Sequence, residues 1–169
     1  MNIAENDHEY DPLGLTIVDG EGDEFVAFML EGEEYACPIT NVQEIIGFRE
    51  VTKLPNVPPF IIGVLNLRGA VVPVVDLRSK FGLPAKEYDK YTVIVIVEVG
   101  DKVMGIVVDS VTDVLRLSDE EIQPAPDFAG AVDSHLITGM ADKGGKFIVL
   151  LDVQRMLSNE ELEGLKVAA

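Results

Sequence analysis

Ile61-Ile62-Gly63-Val64-Leu65-Asn66-Leu67-Arg68-Gly69-Ala70-Val71-Val72-Pro73-Val74-Val75-Asp76-Leu77-Arg78 is the most informative stretch of the chain. Apolar and β-branched residues fill both arms, and glycine at Arg68-Gly69 supplies the left-handed dihedrals of a tight turn. The stretch reads as a β-hairpin. Its turn carries one arginine, with apolar sequence on either side and no carboxylate in the string before Asp76. That charge either stays in water or meets a partner.

Around this stretch the same design occurs twice. Phe25 to Tyr35 is an apolar strand, an acidic turn and a second strand, and Val93 to Val103 repeats it. Val42-Gln43-Glu44-Ile45-Ile46 is matched by Val111-Thr112-Asp113-Val114-Leu115, and Pro-bearing loops follow at Leu54 to Pro59 and Gln123 to Pro126. A hairpin closes each unit: the opening string, then Leu136 to Ala141 with Phe147 to Val153. Each unit offers about five short strands, the pattern of a small all-β barrel. The expected organisation is an acidic arm (1–23), a first barrel (24–88), a second barrel (89–155) and a helical turn and tail (156–169). Barrels of this size bury only about 60% of their unfolded surface and are marginal alone, so the two should pack side by side. The seam between them is the expected place for an apolar groove. Helices are few: Asp76 and Asp152 fit N-caps of short segments, and Ser118 to Glu121 and Ser158 to Glu161 fit capping boxes.

Composition bounds the function. The chain has 169 residues, 47% hydrophobic, and a formal charge of −17. Residues 1–24 hold Glu5, Asp7, Glu9, Asp11, Asp19, Glu21, Asp23 and Glu24 with no lysine or arginine, the pattern of a solvated acidic arm. This charge disfavours nucleic acid and anionic membrane surfaces as partners. No apolar run approaches the roughly 18 residues of a membrane helix, no leader pattern opens the chain, and one cysteine excludes an internal disulfide. A cytoplasmic protein without direct membrane insertion is expected.

Catalytic constellations are sparse. Cys37 lies in an alternating strand and reads as a buried small hydrophobe. Asp133-Ser134-His135 are consecutive, and three neighbours in sequence do not converge into a nucleophile–base–orienter line. Asp76 and Asp152 occupy matching places in the two halves, but the cap reading accounts for both. One Cys and two distant His make no zinc set, and no calcium or phosphate loop is present. No metal, cofactor or catalytic residue is expected. A small hydrolase using Asp76 and Asp152, or Cys37, is the least favoured reading.

Asn66-Leu67-Arg68-Gly69 followed by Val-Pro-Val-Val-Asp-Leu resembles the CheW family of chemotaxis coupling proteins. Val42 to Ile45, Gly105 to Val111 and Gln123-Pro124-Ala125-Pro126 agree in order and spacing, so the similarity runs from about Glu24 to Leu162. The resemblance implies two SH3-like five-stranded β-barrels and a non-enzymatic adaptor. Its implied partners are the cytoplasmic tips of methyl-accepting chemoreceptors and the regulatory domain of the histidine kinase CheA. A coupling protein of a non-flagellar array, serving type IV pili or biofilm, is the alternative wiring. Carried onto this chain, Val42, Glu44, Gly63 and Arg68 fall on positions tied to receptor coupling and the groove, with Arg68 and Glu44 as an ion pair. A solvated hairpin-tip arginine is the other reading of Arg68. Val51 and Ile62 match a kinase-docking face on one barrel, and Gln123, Asp127 and Phe128 match a face on the other. Phe128 is either such a contact or a core aromatic. Ile62 and Gln123 depart from the basic residues common at those places, which points to apolar or hydrogen-bonded docking there.

Overall fold

The computed structural model describes residues 22–124 and 136–156; residues 1–21, 125–135 and 157–169 fall outside it. Among the described residues the chain forms eleven strands and one short helix. In chain order these are β1 (Asp23–Leu30), β2 (Glu33–Pro38), β3 (Val42–Gly47), β4 (Ile61–Leu67), β5 (Ala70–Asp76), α1 (Leu77–Lys80), β6 (Val93–Val99), β7 (Lys102–Val108), β8 (Ser110–Leu117), β9 (Ile122–Gln123), β10 (Ile137–Lys143) and β11 (Lys146–Leu151). The caps expected at Asp76, Asp152 and Ser118 are present, and the box expected at Ser158 to Glu161 lies outside the described residues. Asp76 accepts the Arg78 N–H at 3.0 Å ahead of α1, and Asp152 accepts the Gln154 N–H at 2.9 Å ahead of a 3-10 turn, Val153–Arg155. The Glu121 carboxylate accepts the Ser118 N–H at 2.9 Å, the reciprocal half of the expected box.

The strands make two sheets, ordered β8-β1-β2-β11-β10-β9 and β3-β6-β7-β5-β4. These follow one plan. β5 runs parallel to β7 as β11 runs parallel to β2, and β4–β5 carries a bulge at Gly63 where β10–β11 carries one at Gly139. The plan does not follow the sequence halves, however. β1 and β2 pair with β8 and β11, whereas β6 and β7 join β3, β4 and β5. Residues 24–88 and 89–155 are therefore two sequence units, and each sheet takes strands from both; position 88/89 lies between β5 and β6, two strands of one sheet.

Burial explains the exchange. Val93-Ile94-Val95-Ile96-Val97 is apolar at every position, so both faces of β6 must be covered. Ile94 and Ile96 enter the interior of the second sheet with Leu65, Leu67, Val72 and Val74, while Val95, Val97 and Val99 face the other way into a shared core. β1 does the same: Phe25 and Ala27 line the first sheet's interior with Ile148 and Leu150, and Val26, Phe28 and Leu30 enter the shared core. Each exchanged hairpin is thus the wall between a barrel interior and the common core. A fully buried side chain of this kind contributes about 1.5–3 kcal/mol, and among the described residues twenty buried side chains, from both sheets and the segments that adjoin them, meet in the shared core. The interior of the seam is consequently packed, where the sequence pattern suggests a groove. Among the described residues, partly buried apolar side chains pack on this core, among them Ile39, Ile45 and Val111.

Candidate partner-binding surface

The β4–β5 turn has Arg68 at φ +53° and Gly69 at φ +88°, as a two-residue turn with two left-handed positions requires. The Asn66 side chain accepts the Gly69 N–H at 2.9 Å and fixes the turn. Arg68 consequently projects from the hairpin tip, and its guanidinium donates to a Glu44 carboxylate oxygen on β3. β3 and β4 are the two outer strands of their sheet, so the pair ties the hairpin tip to the far edge. Of the two expected fates of Arg68, the structure shows the ion pair. The Arg68 side chain is 69% exposed and that of Glu44 25%. A pair this open to water stabilises the fold by no more than about 1 kcal/mol, so it serves the surface rather than the core. Val42, at the start of β3, is buried in the shared core and offers no open surface to a partner.

Gly63 is a closure point. The 48–52 segment crosses to β4 through a single bridge, Thr52 N–H to the Val64 carbonyl and Val64 N–H to the Thr52 carbonyl, each 2.8 Å. A Cβ on Gly63 would stand 2.3 Å from the Thr52 oxygen and 2.9 Å from a Val51 methyl, at φ +151°. The absence of a side chain there lets the barrel close. Val51 and Ile62 flank this crossing, partly buried against the second sheet's interior core beside Phe48 and Val103. Gln123 stands at the corresponding crossing of the other sheet. It is exposed, it pairs with Met140, and its carbonyl oxygen would lie 2.8 Å from a Cβ on Gly139. Val51, Ile62 and Gln123 therefore mark equivalent corners of two different barrels. Asp127 and Phe128 lie outside the described residues, so both readings of Phe128 stand.

One group is invisible to sequence pattern. Arg78 is buried, and its guanidinium forks onto Asp109, Nε to Oδ1 and Nη2 to Oδ2, both at 2.8 Å. Nη1 meets the Pro84 carbonyl at 2.5 Å and Glu31 at 2.6 Å. Burial alone would raise the Asp109 carboxyl; the Arg78 hydrogen bonds, the Glu31 N–H and the nearby cationic charge outweigh it and hold the carboxyl below its usual range. Arg78 is pushed up, first by the Asp109 hydrogen bond. The only sequence signal is Arg78 inside the opening string and Asp109 inside a second matching segment, which pattern reading cannot join.

Of the residues weighed for chemistry, Asp76, Asp152 and Cys37 are occupied otherwise, and Asp133, Ser134 and His135 lie outside the described residues. Asp76 caps α1 and accepts the Tyr88 hydroxyl at 2.8 Å, and Asp152 caps its turn and pairs with Arg155 at 3.3 Å. Cys37 is buried in the shared core, and burial pushes its thiol up to about 12. The thiolate is the reactive form, so native protein should react with a thiol-specific chromogenic reagent only on unfolding. Stoichiometric reaction within seconds, without denaturant, would show Cys37 to be accessible. Among the described residues no cluster of three or more His, Cys, Asp or Glu could hold a metal, and no helix is long and apolar enough to cross a membrane.

Comparison with known proteins agrees with this architecture. Residues 24–161 match the CheW-like domain. The chain is 46% identical over 141 residues to a chemotaxis protein CheW of Klebsiella aerogenes, covering 83% of this chain and 85% of that one. It is 34% identical to the Bacillus subtilis chemotaxis protein CheW, covering 82% and 89%. Among solved structures it resembles the scaffolding protein TtCheW of Thermoanaerobacter tengcongensis, with a TM-score of 0.78 at 30% identity, covering 83% of this chain and 96% of that one. With its two SH3-like barrels, the chain belongs to the CheW family of chemotaxis scaffold proteins.

Proposed function

We propose that this protein is a non-enzymatic adaptor of the bacterial cytoplasm that couples methyl-accepting chemoreceptor tips to the regulatory domain of the histidine kinase CheA at receptor arrays. The observation that carries the reading is the Arg68–Glu44 clasp, an exposed cation held in place at a hairpin tip by a carboxylate from the opposite sheet edge. Such a pair adds little to folding and leaves the arginine's remaining donors facing outward, where they can orient a docked helix. The receptor surface then comprises Arg68 and Glu44, with Gly63 and Val42 supporting it from within. Kinase docking uses Val51 and Ile62 on one barrel, and Gln123, Asp127 and Phe128 on the other. Equivalent corners on two barrels suit a bridge between partners better than a single recess for a small substrate.

Arg68→Glu tests this. It places two carboxylates together and leaves the core untouched, so affinity for a receptor-tip fragment should fall at least about tenfold, or 1.4 kcal/mol, with an unchanged melting curve. Isothermal titration measures the loss; wild-type affinity in the variant would remove Arg68 from the receptor surface.

A further inference from the structure

Arg78 stands on neither proposed partner surface, and among the described residues it is the one buried side chain that carries a full charge. Its ligands come from both sheets. It is the second residue of α1, which follows β5 of the second sheet; Asp109 lies where the chain leaves β7 for β8, crossing from the second sheet to the first; Glu31 is at the tip of the β1–β2 hairpin, in the first. Asp109 in turn grips that tip twice, by its N–H to the Met29 carbonyl at 3.1 Å and by Oδ2 from the Glu31 N–H at 3.0 Å.

Gln154 holds the corresponding place in the other half, two residues past the capping Asp152 as Arg78 is two past Asp76. Its amide oxygen accepts the Gly100 N–H at 2.7 Å, and its amide nitrogen donates to the Glu98 carbonyl at 3.0 Å, both at the tip of the β6–β7 hairpin. Each exchanged hairpin is therefore pinned at its tip by the second residue after a capping aspartate. The hydrophobic attraction between the two sheets is itself without direction. A guanidinium fork on a carboxylate, or an amide bonded at both ends, fixes direction as well as distance.

We infer that Arg78, with Gln154 as its counterpart, is a positioning residue that sets the angle between the two barrels. Where the adaptor reading also holds, the same pair fixes how the Arg68–Glu44 surface is placed relative to the Gln123 corner, and that clause alone rests on that reading. The angle itself needs no partner.

Residual dipolar couplings of the full chain, fitted separately for each sheet, measure that angle. In the wild type both sheets should fit one alignment tensor. In Arg78→Lys, which keeps the charge and loses the two-point grip, and in Gln154→Ala, the two tensors should diverge while melting stays cooperative. Amide exchange should quicken about tenfold or more at Glu31 but not Gly100 in Arg78→Lys, and at Gly100 but not Glu31 in Gln154→Ala. A common tensor in both variants, or equal acceleration at both tips, overturns the proposal. Should Arg78→Lys fail to fold, Glu31→Gln, at a carboxylate that is nearly half exposed, is read in the same way. Divergent tensors in the variants, together with a wild type that binds neither receptor tip nor kinase domain, would refute the adaptor reading and leave the positioning role intact.

Discussion

Gly63→Ala should lower the unfolding free energy by more than about 3 kcal/mol, or prevent folding altogether. The new Cβ would stand 2.3 Å from the Thr52 carbonyl oxygen. That oxygen is backbone and cannot turn aside as a side chain could. Relief requires the 51–52 segment to retreat, and both Thr52–Val64 hydrogen bonds, 2.8 Å each, break with it. The φ of +151° adds strain that alanine does not tolerate. Gly69→Ala is the matched control. Its φ is +88° but nothing lies within 4 Å of the added carbon, so it should cost only about 1–2 kcal/mol. Paired urea titrations measure both, and near-equal losses would show that closure at Thr52 is not what Gly63 provides. With unequal losses, any fall in receptor-tip affinity of a Gly63 variant would reflect a barrel that does not close rather than a missing contact.

Asp109→Ala should destabilise the protein by about 3–5 kcal/mol, because it strands a buried guanidinium without its principal partner. The same pair has a pH signature with a definite sign. The Asp109 carboxyl is held below its usual range in the folded protein, while the unfolded carboxyl titrates near about 3.9. Its contribution is therefore complete above about pH 4 and is lost as pH falls through the lower folded value. Urea midpoints should drop between pH 5 and pH 2.5 in the wild type and drop less steeply in Asp109→Asn. Parallel pH profiles for the two proteins would exclude Asp109 as the responsible group.

Several features are legible in the amino-acid sequence for local reasons. The Arg68-Gly69 turn, the two capping aspartates and the doubled hairpin pattern are written in neighbouring residues, and each forms as read. The ion pair between Glu44 and Arg68 follows from the family resemblance rather than from spacing, since nothing local joins a β3 carboxylate to a turn that follows β4. Gly63 is marked in the same way, but its physical reason, the Thr52 oxygen, depends on a crossing that no pattern announces.

Short-range chemistry alone makes this a twice-repeated β protein with tight turns and two caps, because turn chemistry, capping and apolar alternation act between residues a few positions apart. Long-range packing is what makes the repeats exchange hairpins, fills the seam interior, and brings Arg78 to Asp109 and Glu31. An unbroken apolar strand such as β6 states that both of its faces are buried. It cannot state which sheet will cover them, since apolar surface attracts without direction and any complementary wall satisfies it. That choice rests on contacts between residues far apart in the chain, and it is made only when all of them are satisfied together.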